Sequence, residues 1–401
     1  MTESSKILDR EVTRQSNPSR ARLMRIAIVS RELPPYGGGI GSWSQKASQG
    51  LVRIGHEVHL FTQSREGLAA EDIDHGVHLH RVAAAGIRPR SIGWAWAVAS
   101  ALTRYGRFDV VQACEWDAEA ITYALRPSAP LVTRLATPHY LVQAANGAPA
   151  LQRARSMLTS GLERAQARRS RRVISPTRAL ARAVAQKWGL DEAAITVVPT
   201  GIDAPTLAPG QGLPFLGEAP FILYFGRLEV RKGVDVLIDA LPEVLAAHPD
   251  VHCVFIGEDI GYRGRPFAEY AHERCADVRD RLHFLPRMPH GELFQIVAAA
   301  TLVAIPSRWE NLANTCLESM VLRRAIITTS GSGFDEVLTD GVDGILVPPG
   351  DAPALAAAAI SALGDSERLE RLGAAAARRA EDFTVDGMAR RLEEVYASVV
   401  A

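Results

Sequence analysis

Arg25-Ile-Ala-Ile-Val-Ser30 runs within a few residues into Pro34-Pro-Tyr-Gly-Gly-Gly-Ile-Gly41, and these two segments decide the fold. The first is a short apolar run that reads as a buried strand. The second is rich in turn residues. A helical pattern follows from about Ser42 to Arg53, then Gly55 and a second apolar run, His56 to Thr62. Strand, loop, helix, strand is the unit that builds parallel sheets.

The alternation continues outward from there. Further strands are expected at 77–82, 109–114, 130–136, 172–176 and 195–199, with helices between most of them. A Gly/Pro-rich stretch, Gly201 to Pro214, then breaks the pattern and reads as a linker. Strands resume at 221–226, 252–257, 282–285, 302–306, 325–329 and 344–347, and helices begin near Val234, Pro266, Gly291, Asn314 and Ala352. The expected class is α/β, with two facing Rossmann-like domains, each a parallel sheet, and a cleft between them. The expected boundaries are a disordered extension over 1–22, a first domain over 23–203, a linker over 204–219 and a second domain over 220–384. A C-terminal helix over 385–401 is amphipathic through Val385, Met388, Leu392, Val395, Tyr396 and Val399, and is expected to pack back on the first domain.

The chain has 401 residues, 47% of them hydrophobic, which is enough for two cores without disulfide support. Its 45 basic and 45 acidic side chains balance, which argues against nucleic acid as the partner. The four cysteines, Cys114, Cys253, Cys275 and Cys316, fall in no metal-ligand spacing and read as reduced, buried thiols of a cytoplasmic protein. No run of about 18 apolar residues occurs, so no transmembrane helix is expected, and Met1 to Arg22 lacks the apolar segment of a secretory signal.

Ligands of such folds bind outside the C-terminal ends of the strands. Three motifs are expected there. Gly37-Gly-Gly-Ile-Gly41 follows the first strand, and its glycines let a backbone approach phosphate or sugar. It is not the dinucleotide fingerprint: position 44 is Ser, and Thr62-Gln63-Ser64 puts no acid after the second strand. Gly226-Arg-Leu-Glu-Val-Arg-Lys-Gly233 follows the first strand of the second half, and Arg227 and Lys232 suit a diphosphate beside a helix N-terminus. Ser307-Arg-Trp-Glu310-Asn-Leu-Ala-Asn-Thr-Cys-Leu-Glu318 carries two carboxylates about 80° out of register on a straight helix. Both reach the cleft if Glu310 lies on the loop and Glu318 in the helix, with Asn314 as the N-cap and Thr315 in the first turn. Carboxylates accept pairs of hydroxyl hydrogen bonds, which suits a sugar and a ribose.

On these segments, together with Val254-Phe-Ile-Gly257, Gly331-Ser-Gly-Phe-Asp-Glu336, Asp340-Gly-Val-Asp-Gly-Ile-Leu-Val-Pro-Pro349 and Pro199-Thr-Gly-Ile-Asp203, the chain resembles the retaining GT-B glycosyltransferases of the GT4 group (glycosyl transferases group 1). The resemblance runs from about Arg25 to the C-terminus and is strongest in the second half. It implies transfer of a hexosyl group from a UDP- or GDP-sugar to an acceptor hydroxyl, with the acceptor on the first domain and the donor on the second. Arg227 and Lys232 would bind and stabilise the leaving diphosphate, Glu310 the donor-sugar hydroxyls and Glu318 the ribose. Amides around Leu312, Ala313, Asn314 and Thr315 would add donors. The base would sit near Gly257, Arg287 and Met288, Gly226 would also contact the donor, and Gly38 and Gly39 would line it from the first domain. No cofactor and no metal are implied. The acceptor, whether a saccharide, a lipid-linked sugar or a small-molecule aglycone, is left open.

The chain departs from the family once. A histidine commonly follows the fifth strand of the first domain, near the reacting sugar, but here Ala136 stands in its place in Val132-Thr-Arg-Leu-Ala-Thr-Pro-His139. Either His139 takes the role from a shifted loop, or the role is absent. Glu115, Trp116 and His139 are candidate acceptor contacts. An Arg-rich helix over 153–182 offers at most a peripheral contact with an anionic surface. A nucleotide-sugar epimerase on the same fold, or a sugar-nucleotide-binding protein without activity, are the alternative functions.

Overall fold

The computed structural model describes residues 22–147, 149–207 and 213–400, and at 150 and 152–155 the backbone alone. The extension expected over 1–22 lies, apart from Arg22, outside the described residues, as do 208–212 of the expected linker.

The first half runs β1 (Arg25–Val29), α1 (Gly39–Arg53), β2 (Glu57–Gln63), β3 (Glu71–Asp74), β4 (Val77–Val82), α2 (Arg90–Arg104), β5 (Val110–Cys114), α3 (Ile121–Leu125), β6 (Leu131–Arg134), α4 (His139–Ala145), α5 (Ala150–Arg169), β7 (Arg172–Ser175), α6 (Arg178–Trp188) and β8 (Ile195–Val197). The second half runs β9 (Phe221–Phe225), α7 (Val234–Ala247), β10 (His252–Ile256), α8 (Phe267–Arg274), β11 (Leu282–Leu285), α9 (His290–Ala299), β12 (Leu302–Ile305), α10 (Asn314–Val321), β13 (Ile326–Thr329), β14 (Ile345–Val347), α11 (Ala352–Leu363), α12 (Ser366–Ala380) and α13 (Val385–Val400).

The strands form two sheets, in the orders β3-β4-β2-β1-β5-β6-β7-β8 and β11-β10-β9-β12-β13-β14. Every pairing is parallel except β3 with β4. Helices cover both faces, so the central strands are buried on both sides and read as continuous apolar runs. β3 was not expected from the sequence. Its residues, Glu-Asp-Ile-Asp, carry no apolar alternation, because it is an exposed antiparallel edge that buries neither face.

Two further expectations need correction. α1 begins at Gly39, not near Ser42, so Gly39 and Gly41 belong to the helix and only Gly37 and Gly38 to the loop. A Cβ at Gly41 would sit 2.8 Å from the carbonyl of Glu32, so a small residue lets this first turn press on the loop after β1. The Arg-rich segment over 153–182 is not one helix: β7 interrupts it, and the side chains of 153 and 155 lie outside the described residues. Arg164 and Arg168 are spent on the C-terminus of α6, each donating to Trp188 O at 2.9 Å.

The last helix returns to the first half. Val385, Met388, Ala389, Leu392, Val395, Tyr396 and Val399 join one apolar cluster with Ile26, Trp43, Leu51 and Val58. Burying such side chains contributes roughly 1.5–3 kcal/mol for each large one. Gly50 makes the contact close: a Cβ there would lie 2.8 Å from Val385. The Tyr396 hydroxyl donates to the buried Gln112 at 2.6 Å, which satisfies both polar groups.

Candidate active site in the interdomain cleft

The two sheets present their C-terminal ends to one another, and the loops leaving those ends touch across the cleft. Arg287 donates to Pro35 O at 3.0 Å and to Gly37 O at 3.1 Å. Asn311 Nδ2 donates to Ala136 O at 2.6 Å, and Asn311 Oδ1 accepts from the Thr177 hydroxyl at 3.0 Å. The Glu336 carboxylate accepts from the first amides of α6, Arg178 N at 2.8 Å and Ala179 N at 2.7 Å, where the helix dipole favours a negative charge. Arg231 N donates to Asn146 Oδ1 at 2.9 Å. The cleft is therefore closed.

On the second-domain side, β9 ends at Phe225 and its loop turns into α7 through Gly233, whose φ of +68° is left-handed. A Cβ at Gly233 would lie 1.8 Å from Pro306 O, so only glycine lets this turn lie against the loop after β12. That contact brings Lys232 onto Glu310. The ammonium pairs directly with the Glu310 carboxylate, and Arg231 approaches the same oxygen at 3.4 Å while holding Glu229 at 2.7 Å. Burial would raise the Glu310 pKa, but Lys232 and Arg231 outweigh it and hold the carboxyl below its usual range. Burial lowers the Lys232 pKa, against the pull of Glu310.

Arg227 differs from its expected fixed place. Its side chain is 57% exposed and touches the cluster only through Glu229 at 3.4 Å. The fixed cation is Arg231, which sequence reasoning passed over. Its signal was present: it adjoins Lys232 within the same motif.

Glu310 lies on the loop and Glu318 inside α10, the arrangement in which both can reach the cleft. The N-cap is Ala313, not Asn314, which is already the first helical residue, and no side chain caps this end. The first intrahelical amide bond runs from Cys316 N to Ala313 O at 3.0 Å, so the amides before it are free of helix partners. Glu318 is buried, which raises its pKa against Lys46 and His290. Lys46 comes from α1 of the opposite domain and was not singled out in the sequence. Gly39 completes this corner: a Cβ on it would lie 3.6 Å from Asn314 Nδ2. The neighbouring Gly38 amide donates to Glu32 at 2.8 Å. Gly226 and Gly257 abut, because a Cβ on Gly257 would meet Gly226 O at 1.9 Å. Met288 is half-buried against the second core, and Leu312 and Ala313 are buried in it. Thr315 lies in the first turn of α10.

On the first-domain side, the candidate acceptor residues separate. Glu115 is fully buried, and both its oxygens accept from Ala136 N, at 2.8 and 2.7 Å. Burial and the nearby Glu163 push its pKa up to about 7. It holds the turn at Ala136 instead of offering a surface. Ala136 is thus pinned by Glu115 on one side and Asn311 on the other. His139 opens α4, with its Nδ1 2.7 Å from Glu163, its Nε2 3.5 Å from Asp117, and Trp116 stacked on it at 3.7 Å. Burial would lower its pKa, but the hydrogen bond and charge of Glu163, helped by Asp117, more than offset this and raise it above the ordinary imidazole value. Asp117 and Ala118 both take left-handed backbone, φ 57° and 52°, as residues at functional sites often do.

Comparison with known proteins accords with this geometry. Residues 211–379 match the family model "Glycosyl transferases group 1", and residues 37–204 match "Glycosyltransferase Family 4". The two matches follow one another along the chain.

The chain belongs to the group 1 glycosyltransferases.

It is an enzyme of the glycosyltransferase class on a GT-B fold. This glycosyltransferase is similar to a glycogen synthase from Mycobacterium tuberculosis, with 28% identity over 402 residues, covering 93% of this chain and 94% of the relative. It is also similar to a D-inositol 3-phosphate glycosyltransferase from Xylanimonas cellulosilytica, with 28% identity over 411 residues, covering 93% and 96%. Among solved structures, a sucrose-phosphate synthase from Thermosynechococcus elongatus superposes with a TM-score of 0.78 at 19% identity, covering 94% of this chain and 99% of that one. The Anabaena protein HepE, solved with UDP-glucose, superposes with a TM-score of 0.74 at 18% identity, covering 94% and 100%. These structural likenesses concern the fold. Among the described residues, no helix of the glycosyltransferase is long and apolar enough to cross a membrane.

Proposed function

We propose that this enzyme is a retaining hexosyltransferase that uses a UDP- or GDP-sugar. The observation that carries the reading is the Arg231–Lys232–Glu310 cluster at the entry to α7, with Glu318 beyond it on α10. Cations at that place meet charge that develops on a leaving diphosphate, which is where fixed charge lowers a barrier most. Lys232 and Arg227 take the diphosphate, while Arg231 keeps Glu310 ionised and aimed. Glu310 accepts from the sugar hydroxyls and Glu318 from the ribose. The base lies toward Gly226, Gly257, Arg287 and Met288.

In the reaction, the bond between the anomeric carbon and the β-phosphate oxygen breaks, and the acceptor oxygen bonds to that carbon from the same face. The acceptor proton passes to the departing phosphate. His139, held between Glu163 and Asp117, positions the first-domain wall. Lys232 and Arg227 supply the positive charge that meets the leaving group, so the proposal includes no metal and no cofactor. The acceptor hydroxyl belongs to a saccharide, a lipid-linked sugar or a small-molecule aglycone. Relatives named for glycogen and for inositol phosphate support the hydroxyl acceptor in general. A reducing, cytoplasmic setting suits four buried, unpaired thiols.

The test is a panel of nucleotide sugars with chelator present, following binding, slow donor hydrolysis and the anomeric configuration of the product by proton NMR. Saturable binding of one UDP- or GDP-sugar with retained configuration is expected. An inverted product would overturn the retaining assignment, and interconversion of the donor would point to an epimerase.

A further inference from the structure

Asn311 follows Glu310 directly and is 5% exposed. Among the described residues, its side-chain amide bonds to nothing in its own domain. Nδ2 donates to Ala136 O at 2.6 Å and Oδ1 accepts from the Thr177 hydroxyl at 3.0 Å, and both partners belong to the first domain. They stand on separate elements, Ala136 in the turn after β6 and Thr177 at the N-cap of α6, where its hydroxyl also accepts from Leu180 N at 3.2 Å. Glu115 fixes Ala136 from the other side. Gly333 completes the junction: a Cβ on it would lie 1.4 Å from Asn311 O and 3.0 Å from the Thr177 methyl, and its amide donates to Glu310 O at 3.0 Å.

The chain on either side of Asn311 is held differently. Leu312 and Ala313 are buried in the second core, so the amides that open α10, and Glu318 within it, are placed by the second domain alone. Glu310 is not. Its carboxylate is held by Lys232 and by Arg231 at 3.4 Å, and Lys232 is the cation that turns to the leaving diphosphate. With Lys232 so engaged, the carboxylate keeps only the longer contact to Arg231. Its backbone keeps Gly333 and the grip of Asn311 on the first domain. That grip exists only in the closed cleft, because opening strips the amide of both partners at once.

We propose that Asn311 is a positioning residue that ties recognition of the donor's sugar to closure of the cleft, by fixing Glu310 for the sugar hydroxyls when Ala136 and Thr177 are in reach. The inference rests on the glycosyltransferase reading above. It divides donor binding in two: the nucleotide is held by the second domain, and the sugar is held only when the domains meet.

The experiment is calorimetric titration of the full chain with UDP, GDP, UDP-glucose and GDP-mannose as the probes. In Asn311→Ala the sugar conjugate that binds should weaken about tenfold, and its bare nucleotide less than about threefold. The double variant with Glu310→Gln should bind the conjugate no more weakly than Glu310→Gln alone, because one residue acts through the other. Equal losses for nucleotide and conjugate, or additive losses in the double variant, overturn the coupling. If Asn311→Ala does not fold, Asn311→Asp at pH 8 is held to the same outcomes, since it keeps the shape and the Thr177 bond but not the donation to Ala136 O. If no probe binds the wild type, or Glu310→Gln leaves the balance between conjugate and nucleotide unchanged, it is the donor reading that fails. Hydrogen exchange at the Gly333 amide then decides the role of Asn311: faster exchange in Asn311→Ala supports its hold on Glu310, and unchanged exchange overturns it.

Discussion

Lys232 and Glu310, 78 residues apart in sequence, form a direct ion pair between the loop after β9 and the loop after β12. Arg231 shares the same carboxylate oxygen and also holds Glu229. The two cations are therefore unequal. In Lys232→Ala, Glu310 keeps Arg231, so the fold is expected to survive while the leaving group loses a donor. One charge-assisted hydrogen bond is worth about 1.5–3 kcal/mol, or roughly 10- to 150-fold in turnover. Arg231→Ala leaves the buried Glu310 with Lys232 alone and Glu229 with only the exposed Arg227, and about 3–5 kcal/mol of stability should go with it. Urea melts and donor turnover on both variants separate these effects. Equal stability losses would mean that the division of labour is wrong.

The clamp between the domains is mostly hydrogen-bonded, which makes closure adjustable. Glu336 accepts from two α6 amides of the opposite domain. In Glu336→Ala both bonds are lost, each worth about 1.5–3 kcal/mol to the closed arrangement. The expected result is a larger radius of gyration in solution, faster hydrogen exchange at the Arg178 and Ala179 amides, and a raised KM for the donor. An unchanged scattering curve together with unchanged exchange would show that closure does not depend on Glu336.

A pH effect resides far from the cleft, in stacked histidines on β2 and β4. His59 Nδ1 lies 2.8 Å from His80 Nε2, and His78 stacks on His59 at 4.7 Å. Burial first, then His59, pushes the His80 pKa down to about 4, against a small opposing pull from Glu71. A folded-state pKa below the unfolded value of about 6.5 means that the unfolded chain binds more protons between those two values. The stability that His80 contributes is therefore complete above about pH 6.5 and is lost as pH falls toward 4. His80→Gln keeps a partner for His59 and removes the titration. Between pH 7.5 and 5.5 the wild type should lose about 1.4 kcal/mol relative to that variant in urea melts. A constant gap across that range would show that His80 does not carry the effect.

Much of this was legible in the sequence because buried parallel strands write themselves as apolar runs. Each strand of the second sheet was expected within a residue or so of its place. β3 was not, because its exposed Glu-Asp-Ile-Asp segment carries no burial pattern. The Glu310 and Glu318 positions were legible because a spacing about 80° out of register on one straight helix brings both to the cleft if Glu310 lies on the loop and Glu318 in the helix, which is where they stand. Glu115 was misread for a simple reason: a glutamate beside a tryptophan at a strand end looks like a surface platform, and only the fold shows that its oxygens face the Ala136 amide. Lys46, Asn311 and Glu336 act across the cleft, and contacts between domains leave no periodic trace in either one.

Two glycines distinguish backbone strain from lost space. Gly233 and Gly331 both have left-handed backbone, with φ of +68° and +80°. A Cβ on Gly331 would meet nothing within 4 Å, whereas one on Gly233 would lie 1.8 Å from Pro306 O. Gly331→Ala therefore bears only the cost of a left-handed side-chain residue, roughly 1–2 kcal/mol. Gly233→Ala adds a collision with a backbone carbonyl and must push the loop after β9 away from the loop after β12, which separates Lys232 from Glu310. Its stability loss should exceed about 3 kcal/mol, and nucleotide binding should weaken along with it. Gly331→Ala should melt a few degrees early and bind the donor as the wild type does. If the two variants instead behave alike in melting and in binding, the close approach of Gly233 to Pro306 is not what assembles the site.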